Sequence, residues 1–213
     1  MQMMMVTQTQ KGGNMGIFRP TTETVNYYGV CNIGIVSIED KSSLYGWADV
    51  YLNVVVKQEG SDYTRNLQLA GSFDKDANGD VVNCTLLRKI YSFFDGIGET
   101  AGINIRGEWE QEDGTPIENI EEYLNSKYGV ADESQADMGL VAYVYKETPK
   151  QAGGTAYTRV YHIVYPDNPD NRKKLEDEIA WRKGKGYIKV FDESTAMAQA
   201  GDSDGDDMND IPL

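Results

Sequence analysis

The sequence predicts a mainly β fold with peripheral helices. Several stretches alternate apolar and polar residues at the period of two that a half-buried strand requires, most clearly over 47–58. Other stretches, such as 84–95, repeat apolar residues at helical spacing. Hydrophobic residues make up 40% of the 213 residues, which is enough for a core in one domain with elaborations.

The first three elements are expected to be strands. A long strand over 25–38 contains Gly29 and Gly34, which indicate a bulge or a sharp coil of the sheet. A second strand over 47–58 directs alternate valines and leucines to one face. The third, over 63–70, returns after a glycine-containing turn, and this pair is the clearest hairpin in the sequence.

Two helices follow. The first is expected over 84–95 on one apolar stripe, with Gly96 as its stop. A short strand over 103–109 separates it from a helix over 116–128, for which Thr115 supplies the N-cap. Pro116 occupies the first helical position and Gly129 the C-terminal stop.

The remaining elements are two strands and one helix. An acidic loop over 130–138 leads into strands over 139–146 and 156–165. A helix over 169–183 is capped by Asn168 and closed by Gly184. Residues 187–191 are expected to add a closing strand.

Five or six strands, with a helix between the third and the fourth, fit a five-stranded barrel of the OB type. An open α+β sheet is the alternative. The barrel domain spans 25–191 and includes an acidic insertion over 99–138 with the helix 116–128. Residues 1–24 are expected to form a flexible N-terminal arm, and 192–213 a disordered acidic C-terminal tail.

The charge of the chain is unevenly distributed. The net charge is −14. Residues 192–213 carry seven acids and no base, and residues 99–137 carry eleven acids against two bases. Residues 138–191, in contrast, carry six acids and ten bases. A basic face on the barrel therefore remains compatible with the acidic total.

Aromatic and basic residues alternate on the predicted strands. Single-strand binding without sequence preference requires aromatic faces for base stacking and cations for the phosphates. Fourteen tyrosines against five phenylalanines favour half-exposed rings, because the hydroxyl tolerates water. The residues expected to contact DNA are Trp47, Tyr51, Lys57, Tyr63, Arg65, Tyr143, Tyr145, Tyr157, Arg159 and Tyr161. The competing interpretation is that these tyrosines stabilise the sheet or belong to its core.

Catalytic and metal-binding patterns are weak. The stretch 74–80 begins like a calcium loop, but Thr85 stands where a bidentate glutamate is required, so a solvated turn is favoured. His162 alternates with Val160 and Val164, which favours a core or edge histidine over a catalytic base. No His/Cys cluster suits zinc. We therefore expect no enzyme activity, no cofactor and no metal.

The last residues carry the most specific motif. Five aspartates within 202–213 precede an apolar tip, and the proposed partner-binding residues are Asp206, Asp207, Asp210, Ile211, Pro212 and Leu213. This tip resembles the acidic C-terminal end of phage-type single-stranded-DNA-binding proteins. It departs from that pattern at Leu213, where an aromatic residue is usual, and at Met208 and Asn209, which interrupt the acids. An acidic tail that only confers solubility is the alternative.

The resemblance implies a protein that coats and protects single-stranded DNA in phage DNA replication, recombination and repair. Its tail would recruit DNA polymerase, helicase-primase, recombinase or exonuclease. A homodimeric state is compatible with the resemblance. Two rival classes are a phage structural or assembly β-domain and an acidic DNA-mimic inhibitor of a host nuclease or repair protein. The sequence shows neither a signal peptide nor a long apolar span, which predicts a cytoplasmic location, in the host if phage-encoded, without membrane attachment.

Overall fold

The computed structural model describes residues 28–149 and 154–191. Over these residues the predicted β class with peripheral helices is confirmed, with one five-stranded sheet and three α-helices. The expected N-terminal arm (1–24), the start of the first predicted strand (25–27) and the acidic tail (192–213) lie outside the described residues.

Five strands hydrogen-bond in one closed order, β1-β2-β3-β9-β8, in which β8 returns to β1. The strands of this sheet are β1 (Gly29–Asp40), β2 (Val50–Gln58), β3 (Thr64–Gly71), β8 (Leu140–Glu147) and β9 (Tyr157–Pro166). Four of the five pairings are antiparallel. The fifth, between β3 and β9, is parallel and rests on the single pair Leu67–Val160.

The first strand bends where its glycines predict irregularity. Its pairing with β2 shifts register between Ile35 and Ser37, which is a bulge two residues beyond Gly34. A side chain at Gly34 would meet the Asp137 backbone oxygen at 2.6 Å, so this glycine allows the loop before β8 to cross closely. The glycine therefore serves a backbone approach, and the bulge follows it.

The predicted β2–β3 hairpin is confirmed and supplies much of the core. Its inward side chains are almost fully buried, among them Leu52, Val54, Leu67 and Leu69. They pack with Ile33 and with aromatic residues of the first helix. The alternation that predicted these strands thus corresponds to an inner face and an outer face.

The first helix, α1 (Thr85–Ile97), extends past its expected stop. Gly96 lies inside the helix and is buried, where an added Cβ would meet the Val164 oxygen at 2.1 Å. The helix ends instead at Gly98, whose φ of 74° is left-handed. Gly96 is therefore required by helix–strand packing against β9, and the prediction that it terminates the helix is wrong.

Two short hairpins flank this helix. The stretch with a partial calcium-loop pattern forms β4 (Asp74–Lys75) and β5 (Val81–Val82), joined by a turn in which Asp76 accepts from the Asn78 and Asp80 amides. The single strand expected over 103–109 is instead β6 (Gly102–Ile103) and β7 (Trp109–Glu110), paired across a turn. Gly107 has a φ of 86°, and this turn divides the expected strand.

The second helix, α2 (Ile120–Tyr128), starts later than the predicted 116–128. Asn119 is its N-cap and accepts from the Glu122 amide, whereas Pro116 forms a β-bridge with Glu110. The bridge pairs Pro116 with a strand residue, so Pro116 does not begin a helix and Thr115 does not cap one. The helix buries Ile120 and Leu124 in the main core, so the helix of the acidic segment 99–138 packs on the domain.

A buried carboxylate fastens α2 to the end of α1. The Glu99 side chain is fully buried and accepts from the Ala101 amide, Lys127, Tyr123 and Tyr128. Burial alone would raise the pKa of Glu99, but these hydrogen bonds hold it below its usual value. Burial and the Glu99 charge raise the pKa of Tyr128 to about 12.

The third helix, α3 (Pro169–Gly184), covers the outer face of β8 and β9. Asn168 caps it as predicted, accepting from the Asn171 amide. Leu175 and Ile179 form a second apolar cluster with strand residues and with Ile188. The closing strand expected over 187–191 reduces to one bridge, Glu147–Val190.

Candidate nucleic-acid interface

A groove of about 1350 Å³ crosses the outer surface at the joint between β3 and β9. Asn66 and Gln68 of β3 and residues 159–162 of β9 form its floor. The polar side of α1 forms one wall, and the C-terminal end of α3 forms the other. The groove therefore lies where β3 and β9 are joined by a single residue pair.

Four cations line the groove against two carboxylates, Asp95 and Glu147; the cations are Arg88, Lys89, Arg159 and Arg182. Arg88 donates to the Thr85 hydroxyl and Lys89 to the Ala70 carbonyl oxygen. Neither forms an ion pair with a carboxylate in the part of the chain that the structure describes. These two charges are consequently available to an anion entering the groove.

The two other cations hold the groove together. Arg159 donates to Glu147 at 2.9 Å and to Gln68 at 3.3 Å, so it spans the joint from β8 to β3. Arg182 pairs with Glu178 at 2.6 Å and lies 5.5 Å from the centre of the Tyr161 ring. Their positive charge is partly balanced by these partners.

Two exposed aromatic rings stand at the end of α3. Trp181 and Tyr187 are 51% and 67% exposed, and their ring centres are 5.7 Å apart at a steep angle. Arg182 also lies over the Trp181 ring at 5.8 Å. An exposed ring beside a guanidinium is the arrangement on which a nucleobase stacks.

Two titrating groups lie deeper in the groove. Burial lowers the pKa of His162 to about 4, with a further contribution from the positive charges of Lys89 and Arg182. The imidazole is therefore neutral at neutral pH. Burial and the Glu147 charge raise the pKa of Tyr145 to about 12, so its hydroxyl keeps its proton and can donate a hydrogen bond.

Two of the residues expected to contact DNA are core residues. Tyr143 and Tyr161 are only 8% and 9% exposed, because α3 covers the face on which they stand. Lys183 lies over the Tyr143 ring as Arg182 lies over that of Tyr161. The prediction of one open tyrosine face along β8 and β9 is corrected here: its middle is a helix-packing surface, and Tyr145 and Arg159 remain at the groove.

A second group of predicted residues lies at the turn end of the β2–β3 hairpin and at the start of β9. Tyr63 and Tyr157 are 71% and 62% exposed, and neither lines the groove. Lys57 is paired with Glu133 at 3.5 Å. The Arg65 Nε is buried without a hydrogen bond among the described residues, with its guanidinium 6.0 Å from the Tyr63 ring. Within this group, only the two tyrosines are strongly exposed, and none of the four side chains lines the groove.

The last two predicted residues, Trp47 and Tyr51, lie at the opposite end of the hairpin. They join Tyr45 in a cluster of rings that does not line the groove. The predicted set is thus distributed over three surface regions and the core, and only Tyr145, Arg159 and the buried Tyr161 line the groove.

The groove also contains residues that the sequence patterns did not single out. Trp181 and Tyr187 follow no strand alternation, since they flank the end of a helix. A signal was present nevertheless, because Trp181 falls on a helical face that is otherwise charged, where a tryptophan gains nothing from helix packing. Arg88 and Lys89 lie on the polar side of a core helix, and only the fold brings that side to β9.

Among the described residues, no group of three or more His, Cys, Asp or Glu side chains could hold a metal ion. The helices within 28–149 and 154–191 are all too short or too polar to cross a membrane. No protein-family model matches the chain, and no similar protein was found among curated sequences or solved structures.

Proposed function

We propose that this protein binds single-stranded DNA in the groove between α1 and α3. The observation that carries the proposal is the lining of the groove: Arg88 and Lys89, which form no ion pair within the described residues, lie opposite exposed aromatic rings. The two-sided arrangement suits a strand whose phosphates follow Arg88 and Lys89 while its bases stack toward Trp181 and Tyr187. A duplex hides the faces of its bases, so it offers the groove only phosphates.

The proposed fold is a barrel of the OB type. The closed strand order β1-β2-β3-β9-β8 and the position of α1, which follows the third strand of the sheet and precedes the fourth, support this assignment. Folds of this type bind oligonucleotides on the face of their second and third strands and through the adjoining loops. The groove includes the outer residues of β3, which agrees with that use of the fold.

The acidic C-terminal residues 202–213 supply the proposed second activity. In this hypothesis Asp206, Asp207, Asp210 and the Ile211-Pro212-Leu213 tip dock on a replication or recombination enzyme while the barrel coats single-stranded DNA. The support is the resemblance of this motif to phage-type single-stranded-DNA-binding proteins.

The test is a titration of fluorescent oligo-dT by anisotropy at two salt concentrations, with a duplex of equal length as control. We expect affinity for oligo-dT to fall steeply with salt through counterion release, and duplex binding to be much weaker.

Trp181→Ala removes a stacking ring and should cost about 1–3 kcal/mol of binding free energy. Arg88→Ala should weaken binding and reduce the slope of log K against log salt by about 1.

Lys173→Ala is the matched control for charge, because Lys173 is exposed on α3 and does not line the groove. It should leave binding unchanged. Equal losses for Lys173→Ala and Arg88→Ala would mean that net charge, and not the groove, governs binding.

Oligomers that form without DNA and lack oligonucleotide affinity would favour an assembly domain. A tight host-protein partner without oligonucleotide binding would favour a DNA mimic.

A further inference from the structure

A second exposed aromatic surface lies in the loop between β1 and β2 and at the start of β2. We call it the aromatic loop and define it by Tyr45, Trp47 and Tyr51. The Tyr45 and Tyr51 rings stack at 4.5 Å with an interplanar angle of 20°, and the Trp47 ring stands edge-on to Tyr51 at 6.0 Å. Tyr45 and Trp47 are 37% and 58% exposed, and neighbouring Leu44 is 71% exposed.

Hydrogen bonds fix this loop in place. The Ser72 hydroxyl donates to the Trp47 carbonyl oxygen at 2.6 Å, and the Tyr51 amide donates to the Ser42 hydroxyl at 2.9 Å. The Lys41 amide also donates to the Tyr51 carbonyl oxygen. The rings are therefore held on an ordered backbone, so less conformational entropy is lost when a ligand binds.

The surroundings of the aromatic loop are acidic. Asp40 accepts from the Ser42 amide and hydroxyl, and its own amide donates to Glu121. On the other side, Asp49 accepts from the Phe73 amide at 2.8 Å. Lys41 follows directly in the chain, but its ammonium is paired with Glu39 at 2.6 Å. Asp40 and Asp49 thus flank the ring residues in the chain, and Lys41 is already paired with Glu39. The Lys89 ammonium lies at the Ala70 carbonyl oxygen of the neighbouring strand, opposite Tyr51.

This combination disfavours nucleic acid and favours a cation. Phosphates would meet carboxylates at the aromatic loop, whereas binding to nucleic acid depends on neutralising phosphates with Lys or Arg. Exposed Trp and Tyr faces attract cations through the ring quadrupole, and nearby carboxylates add to the attraction. A guanidinium fits best, because it stacks flat on a ring and pairs with a carboxylate through two hydrogen bonds.

We propose that the aromatic loop binds an arginine-bearing segment of a partner protein. An arginine side chain stacks on the Trp47 and Tyr45 rings, pairs with Asp49 or Asp40, and lays its aliphatic stem on Leu44. None of the three rings lines the groove, so we expect a partner held here to leave Arg88 and Trp181 accessible to a strand. In this proposal Trp47 and Tyr51 serve protein recognition in place of the DNA contact expected from their sequence pattern.

The test uses a tri-arginine peptide blocked at both ends and labelled at one end, followed by anisotropy with the full chain. Its neutral isostere, tri-citrulline, has the same shape without the charge. We expect saturable binding of tri-arginine, weaker binding of tri-lysine and none of tri-citrulline. Trp47→Ala should weaken tri-arginine binding by about fivefold or more, and Trp47→Phe should restore part of it.

A charge-matched pair of variants distinguishes the aromatic loop from general attraction to an acidic protein. Asp49→Asn removes one charge at the rings and keeps an oxygen that can accept from Phe73. Asp177→Asn removes one charge on exposed α3, away from the rings. We expect Asp49→Asn alone to weaken tri-arginine binding. Equal effects of the two variants, or equal affinity for tri-citrulline, would overturn the proposal.

Trp47 fluorescence in a Trp181→Phe background gives an independent reading, because Trp109, the other tryptophan, is half-buried against Phe94. Tri-arginine should change this fluorescence, and oligo-dT should not. A change with oligo-dT, together with loss of oligo-dT affinity in Trp47→Ala, would make the aromatic loop part of the nucleic-acid surface and refute the proposal. Failure of groove binding, in contrast, appears in the oligo-dT titrations of the unmodified protein and of Trp181→Ala and Arg88→Ala, and leaves the tri-arginine result unchanged.

Discussion

His162 shows at the scale of one residue how burial controls charge. Since its pKa falls from 6.5 to about 4 on folding, the unfolded chain takes up a proton at a pH where the folded chain does not. The neutral His162 imidazole therefore contributes to the free energy of unfolding. This contribution is fully present above about pH 6.5 and is lost as the pH falls toward 4. The shift corresponds to roughly 3 kcal/mol.

We therefore expect the free energy of unfolding to fall over this range, and the fall to be smaller in His162→Gln. His162 is the one histidine of the sequence, so its NMR titration can be followed without assignment ambiguity. Titration of the imidazole near 6.5 in the folded protein would contradict burial of His162. Urea unfolding at pH 7 and pH 5 measures the energetic side of the same prediction.

At the scale of elements, the packing of α1 on β9 depends on the absence of one side chain. Gly96→Ala places a methyl group 2.1 Å from the Val164 oxygen, so helix and strand must separate. We expect a loss of more than about 2 kcal/mol in the free energy of unfolding, measured by urea denaturation. Gly184→Ala is the matched control, because no atom lies within 4 Å of the added Cβ at this end of α3. It should stabilise the protein by up to about 1 kcal/mol; similar effects of both variants would exclude the packing explanation.

The elements differ in how well the sequence predicts them, and the reason is physical. The β2–β3 hairpin was predictable because one face is buried and the other is wet, which leaves a period of two in the residues. Tyr143 and Tyr161 carry the same period, but α3 covers their outer face, and no local pattern reports that cover. Gly96 likewise carries a stop signal locally and a packing role in the fold. The groove was hardest to foresee because its walls come from α1 and α3, far apart in sequence.

At the scale of the whole molecule, the charge distribution predicts that the acidic C-terminal residues compete with the proposed single-stranded DNA ligand. Residues 192–213 carry seven acids and no base, and they are tethered to a domain with a cationic groove. Tethering gives the acidic segment a high effective concentration, so weak binding suffices for competition. We expect removal of residues 202–213 to tighten oligo-dT binding and to abolish partner recruitment in a pull-down. Unchanged affinity and unchanged recruitment would refute the role of the segment.

The single parallel pair between β3 and β9 has a consequence for how the chain folds. Leu67 and Val160 close the ring of strands, yet the whole of α1, α2 and β8 lies between them in sequence. Closing the ring restricts the conformational entropy of a long intervening segment and forms very few hydrogen bonds in return. The β2–β3 hairpin, in contrast, forms locally. We infer that the hairpin nucleates early and that the ring closes last. On the ribosome, a nascent chain that ends before Tyr157 would therefore expose the edge of β3 to pairing with other chains.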